Sequence, residues 1–234
     1  MINILAVGNS FSQDATAFIE LMSEKIFVRN LYVGGCSLER HCEMLKEGSA
    51  YSFQENGEHT ADVTLEKALA SNHWDYITVQ QVSGLSGIRE SFYPFLTDLV
   101  AFIRARSSAE ILLHETWAYE NGSDHPDFAR YERDQKRMQA MIEKTYANIA
   151  RMEKMRVVPT GKLIALLRGN DFFDTKKGGR SLCRDGFHLD FAYGRVAAAA
   201  LWIKFFTRRL PAFFNRKDLS EGYALIRKML DEVD

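Results

Sequence analysis

The sequence predicts an α/β protein with a five-stranded parallel sheet covered by helices on both faces. Three observations carry this. Short apolar runs recur along the chain, longer segments of helical periodicity separate them, and glycines or polar residues close most of the runs. Strands buried on both faces read as short apolar runs of this kind.

The elements follow in order. "INILAVG" (residues 2–8) is the first strand, and it runs into Gly8, Asn9 and Ser10. Asp14 opens "ATAFIELMSEKI", with Phe18, Ile19, Met22 and Ile26 at helical spacing. "VRNLYVGG" is the second strand and ends in Gly34 and Gly35; "SLERHCEML" then starts as a helix with Ser37 at its cap. Residues 51–62, "YSFQENGEHTAD", form a small hairpin or loop around Asn56-Gly57, an insertion in the alternation. "TLEKALAS" is a short helix, "DYITVQQVS" the third strand, and "SFYPFLTDLVAFIRARS" a helix with Pro94 near its first turn. "AEILLHETW" is the fourth strand and residues 125–154 form a long amphipathic helix. "MRVVPTG" is a short fifth strand, followed by the helix "GKLIALLRG". A Gly/Lys/Arg-rich surface loop leads to "CRDGFHLD", and helices over 190–208 and 218–232 close the chain.

At 234 residues the chain is long enough for one domain, spanning 1–234, with a substantial core. Hydrophobic residues at 46% and charged residues at 26% fit a soluble globular protein. A net charge of -1 gives no electrostatic reason to expect nucleic acid or an anionic membrane as partner. Cys36, Cys42 and Cys183 form no CxxC pair and are odd in number, which points to a reducing compartment. With no membrane-length apolar run and no leader pattern at the N-terminus, the expected location is the cytoplasm. Oligomeric state is not legible.

Right-handed crossovers would bring the strand C-termini to one edge, where open α/β sheets bind ligands. Ser10, Gly34-Gly35, Gln80-Gln81 and the stretch His114–Trp117 would all emerge there. Acyl transfer by a serine needs a base within hydrogen-bond reach and an acid to orient that base. "RDGFHLD" offers both, since Asp185 precedes His188 by three residues and Gly186 permits a sharp backbone path. Each piece alone also fits a plain turn or a surface pair. His114 and Glu115 are adjacent on a strand and point to opposite faces, so no metal site is expected. No cofactor is expected either.

Together, "VGNSFS" after the first strand and "DGFHLD" before a late helix resemble the SGNH (GDSL-type) hydrolase superfamily. The wider pattern "GNSFSQDA … GGCSLERH … DYITVQQVSG … HETWAY … DGFHLD" is most similar to its DUF4886 group. The resemblance runs from about residue 2 to about residue 200. It implies a flavodoxin-like three-layer α/β/α sandwich, with Ser10 as nucleophile, His188 as base and Asp185 as its acid. It also implies an oxyanion hole from the N–H groups of Ser10 and Gly35. Asn9 stands where the GDSL pattern has aspartate, and the superfamily's Gly-x-Asn-Asp block is absent. "VQQVSG" stands there instead and is similar to the Gln-Gly-Glu segment of some carbohydrate acetylesterases, which makes Gln80, ahead of Gln81 as the alternative, the expected side-chain oxyanion donor. Asn9, Gln81, Ser83 and Trp117 complete the residues expected to line the substrate site.

The resulting expectation is a serine esterase acting on a small-molecule ester, its acyl group small (acetyl on a sugar, by the same similarity). Two rivals stand beside it. One is a nucleotide- or phosphate-binding protein using Gly8 and the following helix, for which no glycine-rich phosphate loop or Walker lysine speaks. The other is a non-catalytic binding module with a degenerate site.

Overall fold

A computed structural model describes residues 1–233. Its strands are β1 (Ile2–Gly8), β2 (Ile26–Tyr32), β3 (Tyr51–Glu55), β4 (Glu58–Val63), β5 (Tyr76–Val79), β6 (Glu110–His114) and β7 (Val157–Val158). They form one sheet in the order β4-β3-β2-β1-β5-β6-β7. The five strands read from apolar runs pair parallel to one another, β2 on β1, β1 on β5, β5 on β6 and β6 on β7. The expected five-stranded parallel sheet is nevertheless incomplete: the sheet has seven strands and is mixed. Residues 51–63 fold as the hairpin β3–β4, which joins β2 antiparallel and so extends the sheet. Alternation of polar and apolar residues is weak in this stretch, so the sequence left hairpin and loop undivided.

The helices are α1 (Ser10–Thr16), α2 (Ile19–Met22), α3 (Leu38–Glu47), α4 (Leu65–Ala70), α5 (Phe95–Arg104), α6 (Gln135–Glu153), α7 (Thr160–Arg168), α8 (Gly194–Thr207) and α9 (Ser220–Leu230). Right-handed crossovers send the connection leaving β1 towards β2 and those running on to β6 and β7 to opposite faces, giving three layers. On one side α1 and α2 pack against α8; on the other α3 packs against α5. Ten of the fourteen residues of α8 are buried, as befits a helix apolar on all sides. The run Ala197–Ala200 lets neighbouring backbones approach it closely. No helix among the described residues is long and apolar enough to cross a membrane.

Some boundaries differ from the periodicity. The first helical stretch starts at Ser10, not Asp14, and is two short helices, with Ile26 already in β2. The expected 125–154 helix is interrupted. A 3-10 turn covers Pro126–Tyr131, Glu132 and Arg133 sit at φ 57 and 51, and Asp134 then caps α6 by accepting from Arg137 N–H (2.7 Å). Ser37 caps α3 by accepting from the Arg40 N–H (3.1 Å).

Candidate active site

The turn after β1 is both a cap and a pedestal. Asn9 has extended backbone and caps α1, its Oδ1 accepting from Phe11 N–H (3.0 Å). The same oxygen accepts from Gln80 Nε2 (2.8 Å), while Asn9 Nδ2 donates to the Cys36 carbonyl (3.0 Å). Ser10 is therefore the first residue of the helix. Its N–H is one of those that a helix start leaves without an intrahelical acceptor. Its half-buried hydroxyl donates to His188 Nε2 across 2.8 Å.

His188 comes from the loop between α7 and α8. Its Nδ1–H donates to Asp185 Oδ2 (2.6 Å), which leaves the Nε2 lone pair facing Ser10. Asp185 Oδ1 accepts from the backbone N–H of His188 (2.7 Å) and of Phe187 (3.2 Å). Partial burial pushes the Asp185 pKa up, but these hydrogen bonds together outweigh it, and the pKa lies below the ordinary aspartate value. The loop is held from both sides. Trp117 Nε1 donates to the Phe187 carbonyl (2.7 Å), and Glu120 N–H donates to the Gly186 carbonyl (2.7 Å). Gly186 has φ +85, and a Cβ there would lie 3.1 Å from Ser123, so the tight path needs glycine. The Phe187 ring sits 4.2 Å from the His188 ring and 4.8 Å from that of His125. Burial holds the His125 pKa below the usual histidine value.

Gly34 and Gly35 are exposed in the turn after β2, and Gly35 has φ +61. Val33 N–H donates to the Gly8 carbonyl (3.2 Å), and Cys36 N–H donates back to Val33 (3.2 Å). With the Asn9–Cys36 bond, this ties the Gly34-Gly35 turn to the nucleophile's own turn.

The remaining expected site residues lie deeper. Gln80 is 1% exposed and its amide is engaged on both ends: Nε2 on Asn9, Oε1 accepting from His114 Nδ1–H (2.7 Å). His114 Nε2 meets Thr160 Oγ1 (3.1 Å), so a buried chain runs Asn9–Gln80–His114–Thr160 beneath Ser10. Gln80 lies in the interior behind Asn9, with one N–H of its amide committed to the Asn9 oxygen. Gln81 is equally buried. Its Oε1 accepts from Leu38 N–H (3.0 Å) and its Nε2 donates to the Ser91 carbonyl (2.8 Å). Both glutamines lie just past the end of β5, where strand alternation no longer applies. Ser83 pairs with the Tyr119 hydroxyl (2.9 Å), and Trp117 is fully buried, stacked 4.2 Å from Phe11. Asn9 is 1% exposed. All four are buried; Asn9 fastens the turn that carries Ser10, and Trp117 fastens the loop that carries His188. Among the described residues, no group of three histidine, cysteine or acidic side chains could hold a metal ion.

The three-layer arrangement is that of the SGNH hydrolases. A putative SGNH hydrolase from Slackia heliotrinireducens matches with a TM-score of 0.61 at 19% identity, covering 88% of this chain and 98% of that one. An acetyl xylan esterase, AlAXEase, matches with a TM-score of 0.57 at 14% identity, covering 86% of this chain and 98% of that one. At such identities the likeness is one of fold. Within that fold the family is narrower. Residues 3–216 match the family model described as "Domain of unknown function (DUF4886)", and the chain belongs to that family. The crystal structure of a DUF4886 family protein from Bacteroides uniformis ATCC 8492 is 34% identical, with a TM-score of 0.86, covering 99% of this chain and 93% of that one. No curated protein matches the chain.

Proposed function

We propose that the protein is a serine esterase that cleaves small acyl esters, acetyl on a carbohydrate alcohol being the preferred reading, through an acyl-enzyme. The hydrogen-bonded line Ser10–His188–Asp185 carries this reading. His188 Nε2 takes the hydroxyl proton as Ser10 Oγ attacks the ester carbonyl, and Asp185 stabilises the imidazolium that forms. The N–H groups of Ser10 and Gly35 hold the developing oxyanion, while Gln80 acts through Asn9 by fixing both turns. His188 returns its proton to the leaving alkoxide. Water, deprotonated by the same imidazole, then releases the acid and restores Ser10. The acetyl preference leans on the fold shared with an acetyl xylan esterase. The three cysteines are buried and unpaired, which suits a reducing, cytoplasmic setting.

The test is labelling by a fluorophosphonate probe together with hydrolysis of p-nitrophenyl acetate. The wild-type protein should react at Ser10 and turn over the ester; Ser10→Ala should do neither while keeping its circular dichroism spectrum. A folded wild-type protein that neither labels nor hydrolyses would sink the esterase reading and favour a binding module on the same fold.

A further inference from the structure

One carboxylate beside the site is fully buried and has no part in the proposed chemistry. Asp14 lies on α1 one turn beyond Ser10, and residues four apart share a helix face. Its Oδ2 accepts from Leu189 N–H (2.8 Å), the residue after His188. Arg184 Nη1 reaches both of its oxygens (3.0 and 3.1 Å) and also donates to the Leu189 carbonyl. Arg195, on α8, donates to Oδ1 through Nε (2.9 Å) and Nη2 (2.6 Å). Arg184 and Leu189 flank the segment Asp185–His188, so this single carboxylate grips both ends of the loop that carries the acid and the base. The loop is further closed by Arg184 N–H donating to the His188 carbonyl (2.8 Å).

The geometry amounts to two parallel rungs between α1 and the loop. Ser10 meets His188 at 2.8 Å, and one helical turn on, Asp14 meets Leu189 at 2.8 Å. An ion cluster built on a fully buried carboxylate adds little stability relative to well-packed apolar side chains, because desolvation of the carboxylate offsets its Coulomb energy. What it does supply is a fixed geometry. We infer that Asp14, with Arg184 and Arg195, is the positioning device of this site: it sets the reach of His188 to Ser10 by fastening the histidine loop to the nucleophile helix. The inference rests on the esterase reading of that site. A misplacement of about 1 Å between reacting groups can cost roughly a hundredfold in rate, so loss of the lower rung should be felt in turnover more than in binding.

The experiment compares wild type, Asp14→Asn and Asp14→Ala for p-nitrophenyl acetate hydrolysis and fluorophosphonate labelling, at a temperature where all three are folded. Asp14→Ala should lower kcat about a hundredfold with KM within about twofold, and slow labelling in parallel. Asp14→Asn, whose Oδ1 still accepts from Leu189, should lose only about tenfold. Unchanged kcat in folded Asp14→Ala would overturn the inference. Should that variant not fold, the apolar set Asp14→Leu, Arg184→Met and Arg195→Met restores packing without the carboxylate and must show the same kcat loss. If wild type itself neither hydrolyses nor labels, the esterase reading fails and the positioning claim is decided by a crystal structure of Asp14→Ala. A Ser10 Oγ to His188 Nε2 separation kept at 2.8 Å would overturn it; a lengthened one would support it.

Discussion

Asn9 shows how one side chain can stand in for another with a different chemistry. Its amide accepts twice, from Phe11 N–H and Gln80 Nε2, and donates once, to the Cys36 carbonyl. An ionised aspartate there would accept only, leaving two oxygens without a proton between them at Cys36. Asn9→Asp is therefore expected to loosen the Gly34-Gly35 turn and lower kcat at neutral pH. Gln80 follows the same logic. Its removal strands buried polar atoms on Asn9 and His114, so Gln80→Ala should cost about 1–3 kcal/mol of stability as well as activity. A donor aimed at the oxyanion would instead lower kcat with stability untouched. Urea midpoints alongside ester kinetics distinguish the two, and an unshifted midpoint would favour the donor role. The position of Gln80 at a strand end was legible in the sequence, whereas its partners were not. His114 lies 34 residues away and Thr160 a further 46, and no local pattern announces such pairings.

At the scale of elements, the start of α1 and the loop before α8 have to be brought together, and glycines decide how closely. A Cβ on Gly8 would lie 2.7 Å from Ser12 Oγ and 2.9 Å from Gln80 Cδ. Gly8→Ala is expected to push Gln80 away from Asn9 and to destabilise by roughly 1–3 kcal/mol, as overpacking does. A thermal or urea melt equal to wild type would show that the strand end can yield. The parallel strands, the Ser37 cap and the pairing of Asp185 with His188 all rest on local signals, and all were readable. What was not readable rested on contacts distant in sequence. The clamp on Asp14 joins residues 170 and 175 positions apart, and from sequence Asp14 reads only as the acidic opening of a helix. The break before α6 depends on two residues of ordinary type held at positive φ, which propensity does not foresee.

For the whole molecule, buried titratable groups fix how stability depends on pH. Burial holds His114 and His41 neutral, lowering their pKa values to about 3 and about 4. Below about pH 6.5 the unfolded chain binds protons on both that the folded chain refuses, so stability falls with pH by about 1.4 kcal/mol per unit for each. Glu115 acts in the opposite sense. Burial first, and Glu143 second, raise its pKa to about 8, so the folded chain keeps a proton that the unfolded chain releases above about 4.3. Stability then declines as pH rises towards 8. Two histidines outweigh one glutamate on the acid side, and the urea midpoint should peak near pH 6.5. Glu115→Gln should flatten the alkaline decline and steepen the acid limb, where the glutamate no longer offsets one of the histidines; a wild-type midpoint that climbs steadily from pH 5 to 8 would contradict the assignment.

The whole sheet also has margins. Without the hairpin, β2 would present Ile26–Tyr32 as a seven-residue strand with its backbone groups open to any passing chain. Instead β4 stands outermost, every residue from Glu58 to Asp62 is exposed, and two carboxylates repel a second copy of the same edge. The opposite margin, β7, is two residues long and offers too little ladder to recruit a strand. The segment that interrupts the alternation of strands and helices thus serves as a guard against aggregation, denying fibril-like growth a template at either end of the sheet.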